Sequence, residues 1–264
     1  MSRICPLENF GFLKISGPDA IKFLQGYTTC DLPSLNEQFA RMGAICNLQG
    51  RMLSSFLVIR QGNDLLLRMD RSLVPATIGF LQKYIVFSKA EMVDMSETVR
   101  CFGLLEAGEA DPMAVTSENG GTRINLGNRQ ELWMPTEADI IADASPAEWQ
   151  SLEIAAGTAW VTAGTSEAFI PQMLNYHQQD AIDFTKGCYL GQEIVARMQY
   201  RGELKRRLHR IRSNKARNRE DRLVDGDIVA VQDHDLLAVL KNTTSEPVTA
   251  VFQDGEQVEA IPLI

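Results

Sequence analysis

A chain of 264 residues, 45% hydrophobic and 23% charged, can bury a sizeable core and on length alone makes one or two domains. No apolar run approaches the roughly 18 residues of a membrane span, and MSRICPLENF lacks a signal peptide's hydrophobic core, so the expected location is cytoplasmic. The net charge of −8 argues against non-specific binding to nucleic acid, and five scattered cysteines without a CxxC pair argue against a zinc site or a self-contained iron–sulfur site.

Residues 10–15 read as a first strand, and SGPDAIKFLQG as a helix with Pro18 in its first turn, Asp19 near its positive end and Gly26 as its stop. Residues 39–46 and 52–59 read as strands, and QGND links the second to a third at 65–69 as a hairpin. Asp70 or Ser72 caps a helix expected through about residue 86, with Pro75 in its first turn. Strands follow at about 91–95, 99–105, 122–126 and 130–134, and a short helix is expected over 136–141. SPAEWQSLEIAAG carries a capping box of Ser145 and Glu148, Pro146 at its first helical position and Gly157 at its end. Its expected inner face is Trp149, Leu152 and Ala156. Residues 157–182 read as an irregular crossing segment. Beyond Gly202 the pattern is all strand, at 204–211, 228–232, 236–241, 248–252 and 258–263, which suits a small β-barrel packed on the rest.

Charge is uneven along the chain. Between Arg197 and Arg222 eleven Lys and Arg face three acids, a window of about +8. Such a tract is either a solvated face or an anion site for RNA phosphates or a polyglutamate tail. His177, His209 and His234 lie far apart and suggest no metal site, and no phosphate loop or serine nucleophile elbow is present.

Residues 184–202, FTKGCYLGQEIVARMQYRG, hold the densest chemistry. Cys188 lies between Gly187 and Gly191, two residues after Lys186. Residues 192–198 read as the start of a helix, with Glu193 in its first turn and Arg197 and Arg201 further on. The helix dipole and the lysine would both favour a thiolate. A small buried cysteine in a tight turn is the plain alternative, and the residues alone leave the two open.

KGCYLGQE, followed by AR and RG, resembles the signature of the YgfZ family, folate-binding proteins related to the T-protein of the glycine cleavage system. LKISGPDAIKFLQGYTTCDL, KYIVFSK and FIPQMLNY match the family in the same order across most of the first two hundred residues. The resemblance implies an α+β fold of three T-protein-like domains around a central cavity. They would be a discontinuous first domain from 1–47 with 140–205, a ferredoxin-like insert over 48–139, and a C-terminal barrel over 206–264. It also implies tetrahydrofolate, or another reduced folate, as ligand, with Trp149 and Phe10 as the aromatic pair of its site and Gln192, Glu193 and Arg201 as further contacts. The cysteine of the motif, Cys188, is the implied functional thiol with Lys186 beside it, framed by Gly187, Tyr189, Gly191, Arg197 and Gly202. The implied role is accessory, in assembly or repair of iron–sulfur enzymes such as a tRNA methylthiotransferase, with a weak tRNA contact through the 197–222 tract. The alternative is a tetrahydrofolate-dependent aminomethyltransferase, which needs no cysteine nucleophile.

One departure stands out. Where relatives commonly read LxIEAG, this chain has Ala155 in place of the glutamate. Glu153, about 200° away round a helix, is not expected to replace it.

Overall fold

Among the described residues fifteen strands form three antiparallel five-stranded sheets, each of which packs one face on a core of its own and turns the other to a shared centre. A computed structural model describes residues 3–242 and 245–263. The chain enters through β1 (Ile4–Pro6), then lays down β2 (Phe10–Ser16), helix α1 (Ala20–Gln25), β3 (Arg41–Cys46), β4 (Met52–Gln61), β5 (Asp64–Asp70), helix α2 (Val74–Leu81) and β6 (Glu91–Asp94). The first sheet has the order β3-β4-β5-β2-β6. Leu13, Ile15, Val58, Leu65 and Leu67 pack under the two helices, while Phe10, Phe12, Leu57, Ile59 and Leu66 face the centre.

The second sheet takes β1 back in beside β7 (Val99–Leu104), then β10 (Gln130–Pro135), β9 (Gly121–Asn125) and β8 (Val115–Glu118). Phe102, Leu104, Leu132 and Met134 form its outer cluster, and Cys101, Ile124 and Trp133 face the centre. The third sheet has the order β12 (Gly226–Gln232), β13 (Asp235–Lys241), β11 (Arg206–Arg212), β15 (Gln257–Pro262), β14 (Val248–Val251). Its two edges meet through a bridge between Leu223 and Phe252 and the bond from Val224 N to Val251 O, which rolls the sheet into a barrel.

Helix α3 (Pro146–Ala155) and the crossing segment fill the space between the sheets, with Ile154, Ala159, Val161, Phe169, Leu174 and Tyr176 in the central core. The last helix, α4 (Gln192–Arg201), follows the cysteine loop. The capping box of Ser145 and Glu148 forms as expected.

Several expectations are corrected. The boundary at 47/48 runs through a sheet, because β3 pairs with β4 and β5 with β2. The helix expected to residue 86 ends at Leu81, and the β-branched pair Ile85 and Val86 falls in a separate 3-10 turn, Ile85–Phe87. No helix forms over 136–141. Thr136 instead bonds Thr98 O through its amide and Glu97 O through its hydroxyl, which holds the segment against the second sheet. Strand β8 was not expected. Asn119 and Gly120, both at positive φ, make the tight turn that pairs it with β9.

Candidate functional site

Two places gather the chemistry, one at the buried centre and one on the surface. At the centre, β5 carries Arg68 between cross-strand neighbours Phe12 and Leu57, on an otherwise apolar face. Arg68 is fully buried and bonds Glu131 of β10 through two nitrogens, at 3.0 and 2.5 Å. Its guanidinium lies 4.0 Å from the ring centres of both Phe10 and Trp160. Trp133 donates its indole N–H to Glu131 at 2.8 Å, and Trp160 donates to Glu153 at 2.8 Å. Arg129 sits over Trp149, 5.1 Å from the ring centre. Burial pushes the Glu153 carboxyl above the ordinary range, against the pull of Arg129. Trp149 lies against Gly103, where a Cβ would collide with its indole.

Three buried donors here have no partner: Arg68 Nη1, Arg129 Nε and Trp149 Nε1. Unmet buried donors beside two carboxylates and several aromatic faces offer both halves of a hydrogen-bonding pattern to a flat polar ligand.

Phe10 and Trp149, the expected aromatic pair, are both buried in this core. They do not stack on each other: Phe10 meets Trp160 and Arg68, and Trp149 meets Gly103 and Arg129. The inner face of α3 differs from the expected one. Trp149, Glu153 and Ile154 are buried, whereas Ala155 and Ala156 are exposed. Ala155 lines an outer groove of about 730 Å3 with Arg210 and Arg212, so a side chain there points away from the centre. Glu153 is the acid that α3 turns inward. Arg68, Glu131, Arg129 and Trp160 were missed from the sequence. For Arg68 and Glu131 the one signal was a charge set inside an apolar strand, in LLLRM and ELWM.

On the surface, Cys188 is the only exposed cysteine of the five. Burial pushes the Cys5 and Cys30 thiols up to about 11 and Cys46 up to about 12. Burial, with Glu131 beside it, also pushes Cys101 well above the ordinary thiol range. Lys186 is not a free charge beside the thiol. Its ammonium donates to the carbonyls of Gln25, Thr28 and Cys30 at 2.9, 2.6 and 2.7 Å. Burial lowers Lys186 to about 8, with Cys30, Asp31 and Asp183 opposing. Tyr189 covers it with a buried ring, 5.0 Å from ammonium to ring centre. Leu190 N bonds Gly26 O, so the loop is fastened along its length to the turn after α1.

Gly191 begins α4 at φ 83°, and a side chain there would strike the Asn47 carbonyl. Gly187 meets nothing within 4 Å and has no positive φ, so neither space nor backbone conformation requires glycine there. Gln192 is half-buried, and Glu193, Arg197 and Arg201 are exposed along α4. Gly202 ends that helix against Met198. Among the described residues no hydrogen bond, ion pair or ring contact joins Gln192, Glu193 or Arg201 to Phe10 or Trp149.

Four of the eleven cations of the basic tract are engaged by acids of the barrel. Arg206 pairs with Asp227, Arg212 with Asp235 and Lys215 with Asp254. Arg217 is clamped by Asp221, Asp254 and Glu256 and stacks 3.7 Å over Phe252. Among the described residues no cluster of metal ligands is found, and no helix is long and apolar enough to cross a membrane.

No family model matches the chain. Over the whole chain and 85% of its counterpart, the fold is similar to the glycine cleavage system aminomethyltransferase T of Bartonella henselae, with a TM-score of 0.73 at 13% identity. In sequence the chain is 33% identical over 224 residues to the tRNA-modifying protein YgfZ of Colwellia psychrerythraea, which covers 76% of this chain and 69% of that one. The protein of the same name from Cronobacter sakazakii is 32% identical over 226 residues, 76% and 68% of the two chains. With a third of residues shared across more than two thirds of each chain, and the three-sheet fold of a T-protein, this chain belongs to the YgfZ family.

Proposed function

We propose that this chain is a folate-binding accessory protein that supports assembly or repair of iron–sulfur enzymes, including the methylthiolation of tRNA, with Cys188 as its functional thiol. The observation that carries the reading is the contrast among the cysteines: four are buried with raised thiols, and one is presented on a loop fastened by Lys186. A loop held this firmly around an exposed thiol suits a residue that must meet a partner in a fixed position. That the relatives are named tRNA-modifying proteins supports the process served.

The central cluster fits a reduced folate in its chemistry. A pterin presents an amino group and ring N–H groups, for which Glu131 and Glu153 are acceptors, and a carbonyl and ring nitrogens, for which Arg68, Arg129 and Trp149 hold unpartnered N–H groups. Phe10 and Trp149 supply aromatic surface beside them. Two measurements test the two halves separately. Calorimetric titration with tetrahydrofolate should show binding by the wild type that Trp149→Ala weakens; no heat from the wild type would sink the folate half. In a strain lacking the gene, Cys188→Ala should fail to restore methylthiolated nucleosides while the purified variant melts like wild type. Full restoration would remove the thiol from the reading.

A further inference from the structure

The motif KYIVFSK builds a surface that the folate site and the thiol do not use. Tyr84 begins the 3-10 turn Ile85–Phe87, and residues three apart in such a turn lie on one side. Tyr84 and Phe87 therefore point the same way. Phe87 is 96% exposed, Val86 65% and Tyr84 36%, more apolar surface together than a lone exposed side chain. The rings continue inward as a ladder. Tyr84 lies 4.9 Å from Tyr27 and 5.7 Å from Phe80, and Tyr27 lies 5.2 Å from Phe23, centre to centre. Tyr27 follows Gly26, whose carbonyl holds the amide of Leu190, so the ladder abuts the Cys188 loop.

Lysines gather around this patch. Lys83 and Lys89 flank the turn and Lys22 lies on α1; all three are exposed and none makes an ion pair among the described residues. Of the acids beside them, Asp19 accepts the Lys89 amide at 2.8 Å and is half-buried, and Glu91, two residues beyond Lys89, is exposed. The 197–222 tract, in contrast, has four of its eleven cations paired with barrel acids and no aromatic residue after Tyr200. Stacking rings with unmatched lysines are what unpaired bases on a phosphate backbone require.

We infer that Tyr84 and Phe87, with Lys83 and Lys89, form a platform for the unpaired bases of an RNA loop and set that loop beside Cys188. The inference rests on the tRNA-related reading above and adds where the RNA sits. Base stacking on an aromatic side chain is the sequence-tolerant term, and the lysines add the salt-dependent one.

The test uses the full chain and a fluorescent RNA stem-loop shaped as an anticodon arm, with a blunt duplex of the same stem as control. The wild type should prefer the stem-loop. Tyr84→Ala and Phe87→Ala should each weaken stem-loop binding by about tenfold and leave duplex binding unchanged. Both side chains are exposed enough that unchanged melting will certify the fold. Lys83→Gln with Lys89→Gln should lower the slope of log affinity against log salt by roughly 1.4. Stem-loop RNA should also slow alkylation of Cys188 in the wild type and not in Phe87→Ala. Equal stem-loop affinity for wild type and variants overturns the platform, as does a wild type that binds no stem-loop; the folate titration stands or falls apart from either. A wild-type dimer that Phe87→Ala dissolves on sedimentation also overturns it, because the patch then belongs to a second copy.

Discussion

Replacing Lys186 by Met should loosen the Cys188 loop. Lys186 is charged at pH 7, even with burial lowering it to about 8, so three N–H bonds meet three carbonyls at 2.6 to 2.9 Å. A hydrogen bond from a charged donor contributes about 1.5–3 kcal/mol, so the gross loss is roughly 5–9 kcal/mol. Two effects offset it. Methionine removes the several kcal/mol of ammonium desolvation, and its thioether keeps the packing under Tyr189. A net cost of about 2–4 kcal/mol remains, which for a chain of this size lowers the melting midpoint by about 5 °C. The assay is calorimetric melting together with amide exchange of residues 26–30 and 186–191, where the Leu190 amide should lose protection first. Lys186→Arg should rescue only in part, because a planar fork does not match three carbonyls around a point charge. If Lys186→Met melts and exchanges like wild type, the clamp is not what holds the loop. Cys188 should remain the fastest-alkylated cysteine in that variant, since its exposure sets it apart from the other four.

Two further outcomes follow from the buried charges. Burial works to raise the Glu256 carboxyl, but hydrogen bonds from Arg217, Asn214 and Ser213 outweigh it and bring it down to about 2; Asp254 is also lowered by Arg217. A carboxyl lowered by folding stabilises above its unfolded pKa of 4.5 and loses that stability as pH falls towards 2, so Arg217→Met should flatten the fall in urea midpoint over that window. Parallel curves for the two proteins would refute it. Arg68→Met alone should cost about 3–5 kcal/mol in urea unfolding by stranding Glu131, whereas Arg68→Met with Glu131→Leu should come within about 1 kcal/mol of wild type or exceed it. A double variant as unstable as the single one would mean the cluster is structural.

Local signals were legible in the sequence. The capping box at Ser145, the Gln61 to Asp64 hairpin and the five barrel strands appear where spacing and turn residues put them. Sheet membership was not legible, because β4 and β5 could pair with strands on either side, and burial of both their faces removes the alternation that would show a partner. The same double burial hid Arg68, whose partner lies 63 residues away. On α3 the error was one of phase. Trp149, Leu152 and Ala156 fit a helical stripe, but the crossing segment brings Trp160 against Glu153 and so turns that acid inward. The loop motif contains the exposed cysteine, but its lysine was misread. Nothing in KGC tells a lysine that activates from one that fastens, because its acceptors are backbone carbonyls 156 to 161 residues away.

The centre of the molecule sets its chemistry against its stability. Buried ion pairs give little net stability, since desolvation offsets attraction, and a hydrophobic filling of the same volume would do as well or better. Here two arginines, two carboxylates and three indoles occupy the central core between the sheets, and three of their donors have no hydrogen-bond partner. Each unmet donor costs about 1–3 kcal/mol, so a core selected only for folding would have removed them. A ligand that satisfied all three would recover that free energy on binding. It would also hold the first two sheets together through the residues that link them, Phe12 to Trp133 and Arg68 to Glu131, with α3 tied to the crossing segment by Glu153 and Trp160. The Cys188 loop is fastened to the turn after α1, and α1 packs on the outer face of the first of these sheets. A ligand at the centre would therefore bear on the inner face of the same sheet whose outer face carries α1 and, beyond it, the thiol loop.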